Sequence, residues 1–519
     1  MLAAAVVLGA PTPLPAADAP VPATFFIREY RIEGAHLLKR HEVEEAVYPY
    51  LGPHRSSDDV EKARSAIEDL YQKKGYKTVS VDIPEQQTKG GIVRLRVVEV
   101  VVGRLRVKGA HYFSPNQVKA QAPSMAEGKV LDFNQVQRDV VALNQLPDRR
   151  VTPTLQPGRT PGTVDVQLEV KDSSPLHGSA ELNNRHSPNT TALRLNGAFS
   201  DGNLWQLGHS FGFSFQLAPQ HLDDAKNFSA FYLARFSALP WFTLTATGTK
   251  NDSDVSTLGG SAVAGRGETL GLLASAVLPA AQNFFQSLSL EMDYKHFDQR
   301  LTLGGSGGTL TTPITYYPVT GTYSATLNKA GAVTEANFGV TFNFRSVGSG
   351  PSQFDNNRYL ANGGFVYFKA DLSHTHQLPG AFDLFGKIQG QIADRPLVTS
   401  EQFTGGGVGT VRGYLEAETM GDNGFFGTVE LRTPSLHHWL GQEKGDWRIY
   451  LFTDAGGVTL TEALPGQSAR FGLASYGLGT SLRLREHFTG SVDAAMPLTT
   501  ETQTKAHEVR VTFRTGADF

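Results

Sequence analysis

From about residue 174 to the C-terminus the chain repeats one pattern: segments in which apolar and polar side chains alternate, separated by glycine-rich or polar connectors. A period of two residues marks a β-strand whose two faces meet different surroundings. Sixteen such segments are read, at 174–185, 191–200, 209–220, 228–239, 242–251, 268–280, 285–299, 314–329, 332–346, 363–380, 382–397, 424–434, 447–460, 471–487, 488–498 and 506–519, and no helical period returns after about 173. Most reach the roughly nine to eleven residues that a tilted strand needs to cross a bilayer. No run of about eighteen apolar residues offers a transmembrane helix, so a membrane-spanning form must cross with strands.

The last segment shows the pattern most cleanly. Val509, Val511, Phe513, Thr515, Ala517 and Phe519 lie on one face, and Glu508, Arg510, Thr512, Arg514 and Asp518 on the other. An apolar outside and a charged inside fit a barrel with a wet lumen. A soluble sandwich also alternates, with charges toward bulk water and usually shorter strands. Connector lengths favour the barrel: long polar loops such as "NDSDVSTLGGSAVAGRG" follow odd strands, and tight links such as "LPW", "PAAQN" and "LPG" follow most even ones. Long loops on one side and short turns on the other are the asymmetry of outer-membrane barrels, and whatever precedes the first strand then sits on the short-turn, periplasmic side.

Before residue 173 the period is mixed. "DDVEKARSAIEDLYQKKGY" carries apolar residues at helical spacing, with Asp58 and Asp59 in its first turn and Lys73, Lys74 and Gly75 at its end, as the helix dipole favours. "KTVSVDI" and "IVRLRVVEVVV" alternate as strands. "RIEGAH" at 31–36 returns as "RVKGAH" at 106–111, each followed by two helix-like stretches and two strands. Two copies of β-α-α-β-β predict tandem α+β modules, at 25–102 and 103–172. Residues 1–24, with a short apolar run and many Ala and Pro, read either as a signal-like segment without a basic start or as a disordered tail.

A net charge of −3 and a pI near 6.6 argue against a nucleic-acid partner, and no glycine run ends as a P-loop, so no nucleotide is expected. The chain has no cysteine, which removes disulfides and thiolate chemistry. Gly304-Gly305-Ser306-Gly307-Gly308 matches the G-x-S-x-G nucleophile motif in letters only, because no helix follows it. The histidines, His374 and His376 among them, read as turn or lumen polar residues without metal-ligand spacing. No cofactor, metal or enzymatic activity is expected.

Counting strands makes 398–423 the sixth long-side loop, "GGGVGTVRGYLEAETMGDNG" within it. Two tandem modules, a sixteen-strand barrel, Val411-Arg412-Gly413-Tyr414 in that loop and "LFTDAGG" two strands on resemble the two-partner secretion transporters of Gram-negative bacteria, the haemolysin-activator type. The resemblance implies a mainly β chain: two POTRA (polypeptide-transport-associated) modules, then a 16-stranded transmembrane β-barrel over 173–519. It implies an outer-membrane translocator that exports a specific large partner protein, adhesin- or haemolysin-like. Outer-membrane lipids and the barrel-assembly machinery are its other implied partners, and Phe519 a C-terminal barrel signal. It also implies that the sixth loop folds back into the barrel and that Arg412 pairs with Asp454 on the inner wall of the thirteenth strand.

Alternation puts Asp454 on one face with Arg448, Tyr450 and Phe452, and Glu430 and Asp493, also on inner faces, are alternative partners. An exposed loop whose arginine meets only water is the other reading. A barrel-assembly insertase shares these parts and is the competing function. The family's N-terminal plug helix is not expected, since residues 1–24 have no helical period.

Overall fold

The computed structural model describes residues 24–87, 90–253, 255–256, 263–264, 266–279, 281–302, 309–345, 347–440, 445–485 and 487–519. The N-terminal signal-like or disordered segment and the Gly304–Gly308 run therefore lie outside the described residues. The chain forms two compact units, Met1–Ser173 and Ser174–Phe519.

In the first unit, Glu29–Glu33 runs parallel to Ile92–Val98, which pairs antiparallel with Ser80–Asp82. Val101–Lys108, Thr163–Asp172 and Arg149–Pro157 repeat that order. The helix Ser57–Lys73 starts on a Ser56–Asp59 capping box and turns Val60, Ala63, Ile67 and Tyr71 onto the first sheet, the spacing that puts one apolar stripe on one face. Phe133–Leu143, capped by Asp132, does the same for the second.

The repeated Gly-Ala-His has a shared cause. Gly34 and Gly109 both have φ of +85°, and a Cβ on either would strike the carbonyl oxygen of Val97 or Val170. The turn then aims its backbone N–H groups at a carboxylate. Glu99 accepts from His36 and Leu37, and Asp172 from His111, Tyr112 and Phe113. This corrects one expectation: "IVRLRVVEVVV" is two strands, broken where Glu99 turns to take these bonds and that of the Tyr71 hydroxyl.

In the second unit seventeen strand segments close into a barrel, the last, Arg510–Asp518, pairing with the first, Leu176–Asn183. Two segments, Thr309–Tyr316 and Val319–Lys329, share the seventh strand, Phe284–Thr302, as partner and make one strand, so the barrel has sixteen. The break falls at Pro318, which has no N–H to give the ladder. The seventh strand shows the two faces: Leu288, Leu290 and Met292 are exposed on the outside, while Asp293 and Lys295 point inward. A continuous exposed apolar wall suits lipid contact.

All four tryptophans, Trp205, Trp241, Trp439 and Trp447, lie in or beside the connectors that follow even strands, where an interfacial aromatic belt belongs. His374 and His376 stack on each other and share the outward face with Phe368 and Leu372, so they are not lumen residues. Helix does return after residue 173: Pro351–Asn357 in the fifth loop forms a short helix that buries Phe354 against Tyr316 and Phe365. One apolar contact, not a stripe, drives it, which is why periodicity missed it.

Candidate functional site

The sixth loop joins the eleventh strand, Asp383–Ala393, to the twelfth, Asn423–Arg432. Its two arms pair as a short ladder, Phe403–Gly405 with Thr419–Gly421. Gly406 and Gly407, with φ of +101° and +88°, then turn the chain into a tip that lies inside the barrel. Thr410 holds this turn by donating to the Gly406 carbonyl and accepting from the Gly406 N–H.

Arg412 is buried at the tip. Its Nε donates to Asp454 Oδ2 at 2.8 Å and its Nη2 to Asp454 Oδ1 at 2.8 Å, while its backbone N–H donates to the same carboxylate at 3.0 Å. Asp454 lies on the thirteenth strand, Gly445–Thr459. Nη1 donates to Glu430 Oε1 at 2.6 Å and stands 4.0 Å from Asp493 Oδ1. The guanidinium lies 3.5 Å from the ring centre of Phe452. A planar fork satisfies carboxylates on two strands and stacks on an aromatic face at once, which a lysine ammonium cannot do.

The three acidic residues thus act together. Asp454 takes the bidentate bond and Glu430 the remaining donor, with Arg432 on its other oxygen; Asp493 accepts from the Tyr450 hydroxyl.

Val411 is fully buried beside Tyr414, Phe426, Val458 and Leu473. The Tyr414 hydroxyl lies 3.0 Å from the Ala474 carbonyl and accepts from the Thr499 N–H at 3.1 Å. Gly413 has φ of +91°, and a Cβ there would sit 3.1 Å from the Ala495 Cβ. Phe519 closes the barrel seam, exchanging backbone hydrogen bonds with Gly178 while its ring faces outward.

Sequence reasoning missed the carboxylates that hold the rest of the loop. Glu401 is buried and accepts from Lys295 Nζ at 2.7 Å, Tyr316 at 2.6 Å and Tyr367 at 2.7 Å. Asp422 accepts from the backbone of Leu397 and Thr461. Glu418 accepts from Leu415, Gln503 and Thr504. No local pattern marks these residues; their partners are as far as 106 positions away, as for Lys295 and Glu401. Beside the loop a polar cavity of about 500 Å³ is lined by Thr320, Asn337, Lys369, Lys387 and Gln389.

Comparisons with known proteins agree with this architecture. The family described as haemolysin secretion/activation protein ShlB/FhaC/HecB matches residues 162–482, and the ShlB-type POTRA domain matches 25–99. The outer membrane transporter CdiB of Dickeya dadantii is 24% identical over 492 residues, covering 88% of this chain and 78% of that protein. The heme/hemopexin transporter protein HuxB of Haemophilus influenzae is 20% identical over 421 residues, 77% of this chain and 69% of that one. In fold the chain is similar to CdiB from Escherichia coli, with a TM-score of 0.68 and 22% identity over 98% of this chain and 93% of that one. It is also similar in fold to BamA from Haemophilus ducreyi lacking POTRA domains 1–3, at 0.56 and 13%, over 95% of this chain and 100% of that one. With the family match spanning more than half of its length, the chain belongs to the ShlB/FhaC/HecB haemolysin secretion/activation proteins and is a two-partner secretion transporter of the outer membrane with its POTRA region in the periplasm.

Proposed function

We propose that this transporter exports one large adhesin- or haemolysin-like partner, and that the sixth loop with Arg412 is the reversible closure of its pore. The observation that carries the reading is the tip itself: a long loop turned back into the lumen and tied to the wall by a buried Arg412–Asp454–Glu430 cluster. The entropy of ordering such a loop needs a strong local contact to offset it.

Two periplasmic modules, 25–102 and 103–172, capture the unfolded partner. The first module has an edge suited to this. The pairing of Ser80–Asp82 stops at Asp82, and beyond it, among the described residues, the Gln86 amide meets that edge of the strand Ile92–Val98, donating to the Arg94 carbonyl at 2.9 Å and accepting from its N–H at 2.6 Å. An extended segment can take over those two bonds, giving affinity with little sequence demand. The partner then enters the lumen as the tip leaves Asp454, and folding outside makes passage one-way without nucleotide. Phe519 and the lipid-facing wall serve insertion by the barrel-assembly machinery.

Gene deletion tests this reading. Loss of one large secreted protein with an unchanged outer-membrane profile is expected. Broad depletion of other barrels overturns it in favour of an assembly insertase.

A further inference from the structure

The sixth loop is held at two places that differ in kind. At the tip, Arg412 meets Glu430, Asp454 and Asp493 on the twelfth, thirteenth and fifteenth strands. At the root, Glu401 meets Lys295, Tyr316 and Tyr367 on the seventh, eighth and tenth. Around the root, Leu397 and Val398 are buried with Phe354, Phe365 and Tyr316, under the fifth-loop helix. The Gln391 amide joins both arms, donating to the Glu401 and Asp422 carbonyls at 3.1 Å each.

When the tip lifts, its carboxylates and guanidinium face the wet lumen and regain hydration. Release at the root instead parts the buried Glu401 from Lys295 and two tyrosine hydroxyls at once, beside aromatic side chains, and leaves Lys295 with the more distant Asp293 at 3.8 Å. The cavity of about 500 Å³ beside the arms, bordered by Lys369 and Lys387 on the wall and Phe403 on the loop, provides room for them to turn.

We propose that Glu401 is a positioning residue, the fixed hinge anchor of the sixth loop: the tip swings away from Asp454 while the root stays clamped to Lys295, Tyr316 and Tyr367. This deepens the export reading and rests on it for its role in transport. The loop then acts as a lever and does not leave the lumen as a free strand.

The chain has no cysteine, so single cysteines report cleanly in the full-length protein on intact cells. Val411→Cys reports on the tip and Val398→Cys on the root, each read as the rate of modification by a membrane-impermeant maleimide. Without any partner present, Arg412→Ala speeds modification at 411 by roughly ten- to a hundredfold and leaves 398 within about twofold. Glu401→Gln, or the milder Tyr367→Phe should Glu401→Gln fail to assemble, speeds modification at 398. With the partner arrested in the pore, 411 becomes reactive and 398 stays protected. Exposure of 398 together with 411, in Arg412→Ala or in the arrested complex, overturns the hinge. Because the partner-free rates do not depend on export, failure of the export reading shows separately, as a deletion strain that loses no secreted protein.

Discussion

Replacing Arg412 with alanine removes two side-chain hydrogen bonds to Asp454, one to Glu430 and the stack on Phe452. Glu430 keeps Arg432, and Asp493 keeps Tyr450. Asp454, 1% exposed, keeps the backbone N–H of residue 412 as its one remaining hydrogen bond among the described residues. Deleting one partner of a buried pair costs about 3–5 kcal/mol, and rehydration from the lumen favours the low end. About 3 kcal/mol corresponds to roughly a hundredfold rise in the released-tip population. The backbone pairing of the barrel wall, closed strand to strand through Arg510–Asp518 and Leu176–Asn183, is untouched. The variant is therefore expected at near wild-type abundance as a heat-modifiable barrel, with raised conductance in planar bilayers and reduced secretion. Arg412→Lys, a point charge that cannot span both carboxylates, falls between. Adding Asp454→Asn to Arg412→Ala recovers part of the loss, because no charge is then stranded. Wild-type conductance and secretion by Arg412→Ala at equal abundance would refute the latch.

Gly413→Ala forces a Cβ against Ala495 at a φ of +91°, so it loosens the tip by about 1–2 kcal/mol and raises conductance less than Arg412→Ala does. Tyr414→Phe strands the Thr499 N–H and weakens the tip by about 1 kcal/mol, read in the same bilayer assay. Gly34→Ala or Gly109→Ala drives a methyl into a backbone carbonyl and lowers the thermal midpoint of the isolated 24–173 unit, followed by circular dichroism. Burial pushes the Asp172 carboxyl up, but the N–H groups of Tyr112, His111 and Phe113 outweigh it and hold the pKa below its ordinary 3.8. Its contribution is then complete above that value and lost as pH falls through the lowered one. Asp172→Asn should cost roughly 1 kcal/mol at pH 7 and flatten the loss of stability below about pH 4.

The sixteen strands, their order and most of their faces were legible in the sequence, because a wall between lipid and water writes a period of two into each strand. Arg510 and Val511, or Asp454 and Leu451, take opposite faces for that reason alone. The two modules were legible too, since a turn that admits only glycine recurs 75 residues on, at Gly34 and Gly109. The family resemblance, and with it the expectation that Arg412 meets Asp454, came from a short motif at a counted position. Tertiary structure alone decided the rest. It joined Glu430 and Asp493 to the same cluster, broke strands at Glu99 and Pro318, and seated a helix on Phe354. It also tied Glu401 to Lys295, Tyr316 and Tyr367. A carboxylate in a loop carries no local sign of burial: its partners come from strands distant in sequence, and only closure of the barrel brings them within reach.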